Sequence, residues 1–180
     1  SPSELIFDDF EAMIFDGNAI GHSVFGDEQD LNGFTPDMAK RFFGRYYQPG
    51  NMVFFYVGDI DFTKLINRVR DSFIFANDSV LNHERIAPQH VVPGKRIVNR
   101  DTHQVNCKIG TRAYDIHHPD RMALYLLNNI LGGPGMNSRL NLALREKNGL
   151  VYTVESIIQP YTDCGWWAVY FGADPENYKK

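Results

Sequence analysis

Arg145 and Tyr152 are the residues of this chain with the strongest claim to chemistry. They lie in the run Leu144-Arg145-Glu146-Lys147-Asn148-Gly149-Leu150-Val151-Tyr152. Arg145 falls near the end of an expected helix and Tyr152 at the start of an expected strand, with Gly149 as the reversal between them. Such a corner can bring a guanidinium and a phenol to one rim of a sheet. Together they would hold a carbonyl oxygen by hydrogen bonds, as an oxyanion stabiliser does. A plainer role competes. A last-turn arginine commonly satisfies helix C-terminal carbonyls, and a tyrosine commonly packs. The residues alone favour that plainer role.

The other candidates are weaker. His103 and Cys107 share a strand face but supply only two ligands, and a structural zinc site needs four. His22 lies in a turn, His83 and His90 lie in an irregular stretch, and His117-His118 precede a helix, where His118 fits a cap. Neither H-x-x-E-H nor H-E-x-x-H occurs, so no metal site is expected in this chain. Gly132-Gly133-Pro134-Gly135 follows a helix, whereas phosphate-cradling loops follow a strand. It reads as a helix-to-helix connection. Ser138 and Cys164 lack a nucleophile motif such as G-x-S-x-G and read as a helix cap and a packing residue. Trp166 and Trp167, with Tyr170 and Phe171, have the stacking chemistry of a base platform but no basic surround.

These residues need a scaffold, and the composition provides for one. The 180 residues are 43% hydrophobic and 22% charged, which marks a globular chain able to bury a core. The 18 Lys and Arg stand against 22 Asp and Glu, for a net charge of −4, which excludes a chain-wide nucleic-acid footprint. No apolar run has the length of a membrane helix. The two cysteines, Cys107 and Cys164, fit a reducing compartment, and a cytoplasmic location is favoured. The start at Ser1-Pro2-Ser3 and the end within a helix-like Asp174–Lys180 read as a piece of a longer protein.

Helical spacing predicts helices over 3–15, from Thr35-Pro36-Asp37 to about Tyr47, after Asp61, after His118-Pro119-Asp120, and from Ser138 to Gly149. The helix after Asp120 is apolar on nearly all sides and is expected to be buried. Met52–Val57 is a continuous apolar run and predicts a buried strand. Further strands are expected at about 103–112, 152–158 and 165–171, the last two as a hairpin. Residues 76–95 keep no period and form the expected linker between two α/β halves.

Three stretches resemble one family. Gly132-Gly133-Pro134-Gly135-Met136-Asn137-Ser138-Arg139-Leu140, with the Leu144–Tyr152 run, resembles the G-G-G-M-S-S-R-L … L-R-E-K-x-G-L-x-Y signature of the pitrilysin/insulinase/mitochondrial-processing-peptidase zinc metallopeptidases. Tyr46–Val53, ending in Val57-Gly58-Asp59, is similar to that family's Y-x-P-x-N-M-V … V-G-D segment, and Asn18–Gly26 to its H-P-L-G-x-x-I-L-G loop. Pro134 and Asn137 depart from the pattern. The resemblance implies an α+β fold of antiparallel or mixed sheets with helices on one face. It also implies parts of two homologous lobes: 1–75, the linker 76–95, and 96–180. It places the zinc motif before Ser1, so the parent would bind zinc and this chain would bind none and be inactive alone. It assigns Arg145 and Tyr152 to the substrate carbonyl and so reverses the balance struck above. The implied partners are a peptide substrate and the rest of the parent chain, or a second subunit, in a clamshell. Nucleic acid and membrane are not among them. The family also contains non-catalytic structural subunits, which is the alternative function.

Overall fold

The computed structural model describes residues 2–73, 85–88 and 93–178. Most of the expected linker therefore lies outside the described residues. The chain separates into two compact units: residues up to Phe25 with those from Ile86 onward, and Gly26–Arg85.

The larger unit is built on a three-stranded antiparallel sheet of β1 (Val105–Arg112), β2 (Thr153–Pro160) and β3 (Gly165–Ala173), in the order β1-β3-β2. Val105 pairs with Ala173 and Thr153 with Gly172. A turn closed by Tyr161 N donating to Cys164 O at 2.7 Å joins β2 to β3, as the hairpin pattern predicts. β3 is central and apolar on both sides, so both need cover. On one side Trp166 and Ala168 meet Phe10, Ile14 and Phe15, from α1 (Pro2–Ile14) and its exit, to form the main core. On the other, Val169 and Phe171 pack with Leu140, Leu144 and the buried Val154. Helices thus flank both faces rather than the single face expected.

α5 (Arg121–Gly132) has Asp120 as its N-cap without a side-chain capping bond; His118, expected as the cap, instead accepts from Asp120 N through Nδ1 at 3.2 Å, two residues before the cap position. The expected burial of α5 is corrected. Only Asn128 and Gly132 are buried along it, while Met122, Leu126 and Ile130 are exposed. A single sheet layer covers one stripe of a helix, and the rest of this apolar surface has no second layer against it among the described residues.

The smaller unit holds α2 (Glu28–Gly33), α3 (Pro36–Tyr46) and α4 (Phe62–Ser72). Thr35 Oγ1 accepts from Met38 N at 3.3 Å, and Asp61 Oδ1 from Lys64 N at 3.0 Å, so both expected N-caps form. The buried strand expected at Met52–Val57 does not form. These residues lie outside any strand, with Val53 98% exposed and Phe55 83%. A strand needs an edge to pair with, and the described residues offer none here.

Candidate functional site

The corner between α5 and β2 holds the site. α5 ends at Gly132, and a Cβ there would stand 2.6 Å from Ser156 N on β2. Only glycine lets the helix approach the strand so closely. The chain then turns through Gly133–Asn137, confirming a helix-to-helix connection. Ser138 is buried, and its Oγ accepts from Asn141 Nδ2 at 2.9 Å, next to the start of the following helical turn.

That turn widens into a π-helical segment, Asn141–Glu146. Such segments often mark functional sites because they re-aim side chains. Four carbonyls at its exit have partners of their own. The carbonyls of Leu142, Leu144 and Arg145 accept from the backbone N–H groups of Lys147, Leu150 and Gly149 at 3.0, 2.8 and 2.9 Å. Ala143 O accepts from Asn148 Nδ2 at 2.7 Å. Gly149 makes the reversal with φ +58°, a left-handed conformation suited to glycine. Among the described residues the Arg145 guanidinium hydrogen-bonds to no carbonyl, and its charged neighbour there is Glu146 at 3.9 Å. The plainer capping role is therefore taken by others.

Tyr152 lies just before β2, and its N–H donates to Gly172 O at 2.8 Å. The side chain does not pack inside: it is 57% exposed, and its hydroxyl donates to Asp174 Oδ2 at 2.9 Å. That hydrogen bond and the carboxylate's charge raise the phenol above its usual pKa, so it stays protonated. Arg145 and Tyr152 open into one pocket of about 470 Å³, which Asn128, Gly132 and Ser156 also line.

Asn128 was not singled out from the sequence. It sits within an apolar helix, and no local motif marks it. The other candidates fall elsewhere. Cys164 is buried in the main core, its thiol pushed up to about 11 chiefly by burial, which makes it a poor nucleophile. Trp166 lies in the main core and its Nε1 donates to Glu11 Oε1 at 2.7 Å, while the half-buried Trp167 donates through Nε1 to Ser156 Oγ at 2.9 Å. Among the described residues, no three His, Cys, Asp or Glu side chains converge as metal ligands, so these residues do not fit a zinc ion. No helix of the described residues is long and apolar enough to cross a membrane.

A three-stranded antiparallel sheet flanked by helices defines an α+β fold. Residues 33–180 match the peptidase M16 inactive domain, and the chain belongs to that family. It is 32% identical over 185 residues to an uncharacterized zinc protease of Streptomyces coelicolor, covering 98% of this chain and 40% of the relative. Its fold is similar to a peptidase M16 inactive domain from Pseudomonas fluorescens (TM-score 0.76, 23% identity, 98% of this chain and 43% of that one). It is also similar to a chain of Complex III2 from Candida albicans (TM-score 0.81, 14% identity, 98% and 43%). The chain spans about two fifths of the length of the curated relatives it matches.

Proposed function

We propose that this chain is the substrate-holding part of a zinc-dependent metalloendopeptidase. One observation carries the reading: Arg145 and Tyr152 line the same pocket, and the Arg145 guanidinium hydrogen-bonds to no carbonyl among the described residues. The names of its relatives as zinc proteases support the peptidase class. β2 is an edge strand of its sheet, so a peptide can lie against it as an added strand, read mainly through its backbone.

In that arrangement the guanidinium and the phenol O–H donate to the carbonyl oxygen of the bond to be cut. Negative charge gathers on this oxygen as the carbonyl is attacked, so the two donors stabilise the transition state more than the ground state. The phenol proton has two acceptors, Asp174 at rest and the carbonyl when peptide is bound. The residues that would hold zinc belong to the parent outside this chain, and the chain alone is inactive.

The test is Arg145→Ala and Tyr152→Phe in the whole parent protein. Each is expected to lower kcat by on the order of 10²-fold or more, with the melting temperature preserved because both side chains are solvent-facing. Unchanged turnover in both variants would refute the role. The second reading, a non-catalytic structural or partner subunit, draws on the likeness to the Complex III2 chain. An H-x-x-E-H motif in the parent, with cleavage of a peptide, decides against it.

A further inference from the structure

We propose that Asn128 is a further substrate contact, donating its carboxamide N–H groups to a peptide carbonyl oxygen from the floor of the Arg145–Tyr152 pocket. The inference rests on the reading above and extends it to a residue on a different element.

Asn128 is only 9% exposed, and a buried polar side chain calls for an accounting of its hydrogen bonds. One half of the amide is explained by a relay. The indole N–H of Trp167 can only donate, and it donates to Ser156 Oγ at 2.9 Å. Ser156 has one O–H to give, and it goes to Asn128 Oδ1 at 2.6 Å. That separation suits O–H···O and is short for N–H···O, so the oxygen of the carboxamide faces the serine. The polarity of the relay therefore turns the NH2 group away from Ser156.

Nδ2 has no hydrogen-bond partner among the described residues. It is also absent from the polar atoms sealed from solvent without a partner, which are Gln48 Oε1, Lys108 Nζ and Arg112 Nε. It keeps access to open space, and the space that Asn128 lines is the pocket. Two neutral N–H donors there, beside a guanidinium, suit an oxygen acceptor and disfavour an ammonium. A main-chain carbonyl satisfies them without any particular side chain, in keeping with recognition through the peptide backbone.

The decisive variant is Asn128→Asp in the whole parent protein. It keeps an oxygen for Ser156 and replaces the pocket-facing NH2 with an acceptor. With a blocked fluorogenic peptide as probe, kcat/KM is expected to fall about tenfold or more, with the melting temperature within a few degrees of wild type. Ser156→Ala breaks the relay but leaves the donors, so it should lower the melting temperature with a smaller loss of kcat/KM. Wild-type kcat/KM for Asn128→Asp, with Arg145→Ala impaired, overturns this inference and leaves the role of the pair intact. Wild-type values for both overturn the pair's role and this inference together. Should Asn128→Asp not fold, the side-chain NH2 resonances of asparagine-labelled wild type decide. They should shift when acetyl-tetraalanine amide is added at concentrations that shift the Arg145 signals, and an unmoved Asn128 pair overturns the proposal.

Discussion

The two compact units of this chain carry similar sequence patterns and reach different ends. The larger unit buries Phe10, Ile14, Phe15 and Trp166 in one core and Val151, Val154 and Ala173 in another. The smaller unit has well-capped helices, yet α2, α3 and α4 contain no buried residue. Phe42 meets Tyr46 at a tilt and Phe43 stacks on Tyr47, with ring centroids 4.5 and 4.6 Å apart, but both phenylalanines remain more than half exposed. Caps and periodicity suffice to write a helix. A core needs strands that find partners, and only the larger unit has them among the described residues.

The largest expected effect tests this contrast directly. Trp166 is 3% exposed, meets Phe10 edge-on at 5.4 Å between centroids, and shares Glu11 Oε1 with the Tyr161 hydroxyl. Trp166→Ala removes ring contacts and one of the two donors to Glu11 Oε1, so urea unfolding should show a loss of about 3–5 kcal/mol. Phe43→Ala in α3 should cost less than about 1 kcal/mol. Equal losses from the two substitutions would show that the units do not differ in packing.

Much of this was legible in the residues. Thr35-Pro36-Asp37 and Asp61 announce helix starts through chemistry local to a few residues, and both caps form as read. The hairpin and the Gly149 reversal are likewise local. What local reading missed depends on distant partners. Met52–Val57 has strand composition without an edge to join, and α5 has core composition with one face covered. In the site, Arg145 and Tyr152 stood out because a short run places them at one corner. Asn128 did not, because its hydrogen bonding depends on Ser156 and, through it, Trp167, which come near only when the hairpin folds under α5.

The main core also holds a charge that the smaller unit never has to bury. Lys108 Nζ sits 3.7 Å from the centroid of the Trp166 ring and 3.8 Å from that of Phe7, without a hydrogen-bond partner. Burial lowers its pKa to about 8, against the pull of Glu11 and Asp8. The unfolded lysine titrates near its ordinary 10.5, so between these values the unfolded state binds more protons and stability rises with pH. The cost of burying the charge is full below about pH 8 and gone above 10.5. Lys108→Met keeps the apolar stem and removes that cost. At pH 7 it should be more stable than wild type by on the order of 1 kcal/mol after solvent screening, and at pH 10 most of that gap should have closed. Paired urea titrations at the two pH values cancel other titrating groups. A wild type more stable at pH 7 would mean that attraction to the rings outweighs desolvation.

The smallest effect is expected where the contrast is sharpest. Met52–Val57 is six consecutive apolar residues, free of proline and charge, with no strand partner among the described residues. Exposed runs of this kind template edge-to-edge association. Replacing Val53 and Phe55 by lysine puts charge on positions that are 98% and 83% exposed. Because neither side chain is packed, the stability of the chain should change by less than about 0.5 kcal/mol. Association should fall, read as lower light scattering at high protein concentration. A loss above about 1 kcal/mol would show instead that this run is packed within its unit, and the two halves would then differ in degree of burial rather than in kind.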